Sequence, residues 1–209
     1  MKRCVIIGGA GIASPAHIKR YLRDDDFLIY CDCGLRHAEA LGREPDLIVG
    51  DFDSYENPDS GTETIVLPHE KDDTDTAYAV KEGMRRGFEE FLLIGAIGER
   101  FDHSLGNIQL LYMLDTAGKK AQIADDYSLI EVVSSEAFVG EESEYFSLLA
   151  ISGKAEGISI TGAKYCLSDA SLDSDFPLGV SNEVLPGQTA RVSVKSGRLL
   201  LVRVLRTDR

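Results

Sequence analysis

Apolar residues fall in short blocks along the first two thirds of the chain, separated by stretches with helical spacing. Cys4 to Ile7 is an apolar run stopped by Gly8-Gly9, and its length and stop predict a strand. Ser14-Pro15 supplies an N-cap and a first-turn proline for a helix running to about Arg23. Phe27 to Cys31 is a second strand, Leu35 to Leu41 a short helix closed by Gly42, and Asp46 to Val49 a third strand. Thr64 to Leu67 is a further extended piece. Ala77, Val80 and Met84 give Thr74 to Arg86 a helical period, with Gly87 as its stop. Phe91 to Ile94 is a strand, His103 to Thr116 a helix with Leu105, Ile108 and Tyr112 on one face, and Ala121 to Ala124 a strand. Strands alternating with helices predict an α/β domain, Rossmann-like, with a mostly parallel sheet and helices on both faces.

The texture changes near Ser134. Tyr145 to Ile151, Gly157 to Thr161, Ala190 to Val194 and Leu199 to Leu205 are short runs rich in Val, Ile, Leu and Ser, with turn residues between them and no helical period. We expect a C-terminal all-β, sandwich-like domain over 136–209, following the α/β domain over 1–135.

Composition narrows the class. The chain has 209 residues, 44% hydrophobic and 27% charged, enough for one large domain or two small ones, which excludes a disordered tail, a fibre or a disulfide-stapled miniprotein. No stretch reaches about 18 uninterrupted apolar residues, so no membrane partner is expected. The Cys4 to Ile7 run is too short for a signal-peptide core. Cys4, Cys31, Cys33 and Cys166 are therefore expected to be reduced thiols of a cytoplasmic protein. A formal net charge of −13 argues against nucleic acid as a partner.

Acidic residues gather after successive strands. Gly50-Asp51-Phe52-Asp53-Ser54 follows the third strand, at the sheet edge where open α/β folds bind ligands. Positions two apart in extended chain point to one side, so Asp51 and Asp53 converge as hard oxygen ligands for Mg²⁺ would, or else cap a turn. Lys71-Asp72-Asp73-Thr74-Asp75 opens a helix, where acids either complement the dipole or complete a metal site, with Lys71 in reach of a phosphate. Gly98-Glu99-Arg100-Phe101-Asp102-His103 also joins a strand to a helix. Arg100 offers a planar fork for phosphate oxygens, Asp102 a metal ligand or proton acceptor, and His103 a helix cap or an orienting group. Gly8-Gly9-Ala10-Gly11 lacks the third glycine of a dinucleotide fingerprint, because Ser14 stands there, and no phosphate loop ending in Gly-Lys-Ser/Thr exists. Together these groups suit a phosphorylated nucleotide held through magnesium.

The chain resembles the thiamine pyrophosphokinase (thiamine diphosphokinase) family over nearly its whole length. The matching residues are Asp32 with Gly34, Pro45 through Ser54, Lys71-Asp72 with Thr74-Asp75, and Gly98 through His103 with Asn107. Gly162 to Leu167 and Gly179 to Glu183 resemble the family's thiamine-binding segment. The resemblance implies an α/β catalytic domain, a C-terminal β-sandwich, and a homodimer with active sites between subunits. It also implies transfer of the diphosphoryl group of ATP to the hydroxyl of thiamine, giving thiamine diphosphate and AMP. By this resemblance Asp51, Asp53 and Asp75 form the Mg²⁺ site and, with Arg100 and Asp102, the catalytic set. Asp32, Ser54, Lys71, Thr74, Arg100 and His103 would contact ATP and its phosphates, and Ser181 and Asn182 thiamine. Cys33 stands where the family has the first glycine of Asp-Gly-Gly, and Cys166 where it often has proline. With no tryptophan in the chain, stacking on thiamine falls to Tyr, Phe or His. The alternatives are a pyrophosphokinase acting on another alcohol, such as a pterin, and a non-catalytic nucleotide-sensing module.

Overall fold

The structure, a computed structural model, describes residues 3–52, 61–68, 70 and 72–206. The chain divides into two compact units, Met1–Asp126 and Tyr127–Arg209.

In the first unit six strands run parallel: β1 (Cys4–Ile7), β2 (Phe27–Cys31), β3 (Leu47–Gly50), β4 (Thr64–Val66), β5 (Glu90–Ile94) and β6 (Lys120–Ala124). Their order is β4-β3-β2-β1-β5-β6, so the winding reverses between β1 and β5. All residues of β1 and β3 are buried, which is why they read as continuous apolar runs without alternation. Among the described residues four helices connect the strands: α1 (Pro15–Lys19), α2 (Ala38–Leu41), α3 (Asp75–Arg85) and α4 (Phe101–Thr116). Right-handed crossovers on either side of the reversal place α1 and α2 on one face and α3 and α4 on the other. The packing agrees, since α1 touches α2 and α3 touches α4. The register pairs Ile7 with Tyr30 and with Ile94, and Cys31 with Val49, so the segments after these strands leave from one rim.

Several expectations are corrected. Helix α1 stops at Lys19 rather than about Arg23, and the Ser14 side chain makes no capping bond. The Asp126 carboxylate instead holds the residues just before the helix, accepting from the backbone N–H groups of Ala13 and Ser14 at 2.7 Å each. The helix expected over Leu35–Leu41 is a 3-10 segment, Asp32–His37, followed by the single turn of α2. Helix α4 begins at Phe101, not His103, and buries Ser104, Asn107, Leu111 and Leu114. Leu105, which the spacing sets on one face with Ile108 and Tyr112, is 47% exposed. Polar and apolar residues are spread around this helix with no clear stripe, and two polar residues are among those turned inward. Thr74 does cap α3, accepting from Ala77 N at 3.1 Å.

Among the described residues the second unit is built from strands without helices: β7 (Ser128–Val133), β8 (Glu136–Val139), β9 (Ser143–Ala150), β10 (Lys154–Thr161), β11 (Leu167–Asp173), β12 (Ala190–Ser193) and β13 (Leu199–Leu205). β13 lies antiparallel between β7 and β9, while β10 and β12 lie at the middle of the antiparallel order β11-β10-β12-β8. Val133, Phe146, Leu148, Leu199 and Leu201 from the first group meet Val139, Ile158, Ile160, Leu172 and Val192 from the second in one buried core. The division falls after Asp126, where the sequence placed it at 135/136, because β7 pairs along its length with β13. β7, β8 and β11 were not anticipated. β11 is a polar edge strand whose Leu172 alone is buried, so its sequence carries little alternation. Among the described residues no helix is long and apolar enough to cross a membrane.

Candidate active site

Three segments of the first unit each bring a carboxylate to one point. Asp32 opens the 3-10 segment directly after β2, Asp51 follows the last residue of β3, and Asp75 is the first residue of α3. One oxygen from each lies within 4.8 Å of the other two. Because β2 and β3 are parallel neighbours in register, their exits deliver Asp32 and Asp51 side by side. The Thr74 cap fixes the start of α3 and with it Asp75.

Asp32 is 3% exposed. Its Oδ1 accepts from the backbone N–H of Cys33, while its buried Oδ2 has no hydrogen-bond partner among the described residues. A buried carboxylate oxygen without a donor, beside two other acids, is costly unless a cation completes the group. The donor set, all hard oxygens, fits Mg²⁺. Glycine makes the packing possible: a Cβ at Gly50 would stand 2.5 Å from Asp32 Cβ. Beneath the acids, burial pushes the Cys31 thiol far up, the charges of Asp75 and Asp32 add to that, and the hydroxyl of Thr76 opposes it.

At the β1/β5 reversal, two loops lie in backbone contact. Gly8 N donates to Ile94 O at 2.8 Å and Ala10 N to Gly95 O at 2.9 Å. Gly95 has φ +60°, and a Cβ there would come within 2.5 Å of Gly8 O. A Cβ at Gly9 would meet Cys33 Cβ at 2.5 Å, so the first loop also rests on the segment that carries Asp32. His37 Nε2 lies 2.9 Å from Ala10 O. From below, Asn107 Nδ2 donates to Ala96 O at 2.7 Å, and Ser104 Oγ accepts from Gly98 N at 3.0 Å. These bonds explain why α4 turns Ser104 and Asn107 inward.

Arg100 and Asp102 face solvent, with side chains 71% and 64% exposed, and they bond each other through two contacts of 2.9 and 2.6 Å. The Arg100 guanidinium holds the Asp102 carboxyl far below the usual range, so in this arrangement Asp102 is a weak proton acceptor.

In the second unit a cavity of about 210 Å³ is lined chiefly by Phe146, Leu148, Tyr165, Leu178, Val180 and Asn182. Ser181 is exposed, adopts φ +62°, and donates its N–H to Ser147 Oγ at 3.0 Å. Asn182 is 7% exposed, and its amide is bonded to the chain itself. Nδ2 donates to Tyr165 O at 2.8 Å, and Oδ1 accepts from Tyr165 N at 3.0 Å and Glu183 N at 2.9 Å. Asn182 thus holds the backbone of Tyr165, whose ring is 59% exposed with the Lys164 ammonium 5.6 Å from its centroid.

The model of the family described as "Thiamin pyrophosphokinase, catalytic domain" matches residues 18–123, and that described as "Thiamin pyrophosphokinase, vitamin B1 binding domain" matches residues 130–199. The chain belongs to the thiamine pyrophosphokinase family. A thiamine pyrophosphokinase of Bacillus subtilis is 28% identical over 97% of this chain and 99% of its own. A crystal structure of thiamine pyrophosphokinase from the same organism superposes with TM-score 0.88 at 24% identity, covering 99% of this chain and 100% of that one. The fold extends to thiamin pyrophosphokinase from Candida albicans, with TM-score 0.75 at 16% identity over 98% and 89% of the two chains.

Of the residues that the thiamine pyrophosphokinase resemblance singles out, the structure brings together Asp32, Asp51 and Asp75. Asp53, Ser54 and Lys71 lie outside the described residues. Asp32, expected on the nucleotide, stands with the metal candidates. Arg100, Asp102 and His103 sit at the exposed start of α4, outside the acid group. Sequence reasoning missed the residues that brace the rim, namely His37, Ser104 and Asp126. Only Asp126 left a trace, as the second of two acids that follow β6.

Proposed function

We propose that this chain is a thiamine diphosphokinase, transferring the diphosphoryl group of ATP to the hydroxyl of thiamine with release of AMP. The observation that carries this reading is the three-acid group with one orphaned buried oxygen, in a chain whose two halves match the family's two models. The reversal between β1 and β5 supports a Rossmann-like reading of the first unit, with the nucleotide at the crevice above it. Asp32, Asp51 and Asp75 would hold Mg²⁺, joined by Asp53 in the expectation from sequence. When bound, the ion offsets charge on the phosphate oxygens. The protein's own share is alignment and charge: the acids fix the site, the glycine loops allow close backbone approach, and Arg100 pairs with outer phosphate oxygens once it leaves Asp102. The cavity of the second unit, with Tyr165 and Ser181 near it, is the proposed thiamine end.

A homodimer with active sites between subunits belongs to the same reading. The exposed Tyr165, Leu178 and Val180 are apolar surface that a second copy would cover, and sedimentation gives the mass that checks it. The family match does not favour a pterin acceptor or a non-catalytic sensor. Incubation with ATP, Mg²⁺ and thiamine should yield AMP and thiamine diphosphate in equal amounts; ATP binding without AMP formation would overturn the reading. Asp75→Asn, which keeps the size of the side chain, should lower turnover at least about a hundredfold at saturating Mg²⁺.

A further inference from the structure

We propose that Asp126 is a positioning residue for the nucleotide: it sets the loop from Gly8 to Ser14 at the β1/β5 crevice. This rests on the reading that ATP binds there. Asp126 lies two residues beyond β6, more than a hundred residues from the loop in sequence. Its two carboxylate oxygens are divided between two successive amides, Oδ2 on Ala13 N and Oδ1 on Ser14 N, each at 2.7 Å. Short contacts to an ionised acceptor are stronger than neutral hydrogen bonds, and the forked arrangement fixes direction as well as distance.

Apart from Asp126, the far end is held by bonds local to α1, where the Ser14 carbonyl accepts from His17 N at 3.0 Å and Ile18 N at 3.2 Å. The Ser14 side chain makes no cap, and α1 is only five residues long. At the near end the loop touches the segments that follow β5 and β2. Ala10 bonds Gly95 and lies against His37, and Gly9 rests on Cys33, the neighbour of Asp32. A loop pinned at Gly8 and Ala10 but released at Ala13 and Ser14 would swing about the near end. That would move backbone where the nucleotide is to lie, and disturb the bed of Asp32. The same contacts occupy the Ala13 and Ser14 amides, so the stretch acts as a shaped wall and offers no amides there to a phosphate.

The test compares the full-length wild type with Asp126→Ala and Asp126→Asn. Asparagine keeps one acceptor oxygen and turns an NH₂ group toward the second amide, so it loses one bond of the two. Removing both should raise KM for MgATP about tenfold, with Asp126→Asn between, while KM for thiamine stays within about twofold. Amide hydrogen exchange should show Ala13 and Ser14 losing protection in the same variants. Lost protection with an unchanged KM for MgATP overturns the proposal. So does a parallel loss in both substrates that follows only the melting temperature. If the alanine variant does not fold, Asp126→Asn is read by the same criteria. If the wild type forms no AMP, the proposed function fails by itself; direct ATP binding then decides the role of Asp126, weaker binding in the variants supporting it and equal binding overturning it.

Discussion

At the scale of single residues, charge placement is the decisive term, and Glu82 shows how it works away from the site. Its side chain is 6% exposed on α3 and is bonded by Arg85 at 2.6 Å and Arg86 at 2.7 Å. Arg85 first, then Arg86, pull its carboxyl down to about 2 from the ordinary 4.5, against burial, which pushes it up. A carboxyl lowered on folding stabilises above its unfolded value, and that contribution is lost as pH falls through the folded one. The Arg85 side chain is 72% exposed, so the pair is worth on the order of 1 kcal/mol. Glu82→Gln should therefore flatten the fall in urea-unfolding free energy between about pH 5 and about pH 2. An equally steep fall in the variant would assign it to other acids. The same residue scale limits what a sequence reveals. Asp51 and Asp75 were readable because each directly follows a strand or opens a helix. Asp32 was readable as an acid at that edge but not as a partner of the other two. Its partnership depends on the register of β2 against β3 and on the room left by Gly50.

At the scale of elements, burial on both faces made the parallel strands legible, since four or five apolar residues in a row with a glycine or acid stop leave few other readings. Helices were harder. Helix α4 mixes polar and apolar residues around its circumference, and its inner face was set by the bonds of Ser104 and Asn107 to the loop after β5. β7 is only partly buried and shows no alternation, β8 has just four residues and β11 is polar, so none announces itself outside its pairing. Helix α3 packs tightly at Gly83. A Cβ at Gly83 would stand 2.7 Å from Phe91 Cε1 and 3.1 Å from Cys4 Sγ. Helix propensity favours Gly83→Ala by up to about 1 kcal/mol, whereas overfilling a packed interior costs about 1–3 kcal/mol. Crowding wins, and the variant should lower the melting temperature by several degrees despite the better helix former. A rise in melting temperature would show that Phe91 gives way at little cost.

For the whole molecule, the family's two models fall on either side of the division after Asp126. The net charge of −13 acts on both substrates of the proposed reaction, in opposite directions. Thiamine is a cation and is drawn toward an acidic surface; ATP is an anion and needs its cation partners. Raising salt from about 0.05 to about 0.5 M should lower kcat/KM for thiamine several-fold, as steering is screened. A flat salt profile in steady-state assays would confine the acid to local roles. The close approach at the rim also constrains how such a chain drifts over generations. Cys33 fills the volume that a side chain at position 9 would need, so the two positions share one allotment of space. A lineage with glycine at 33 is free to put alanine at 9. One that acquires cysteine at 33 must keep glycine at 9, and the two sites vary as a couple though 24 positions separate them.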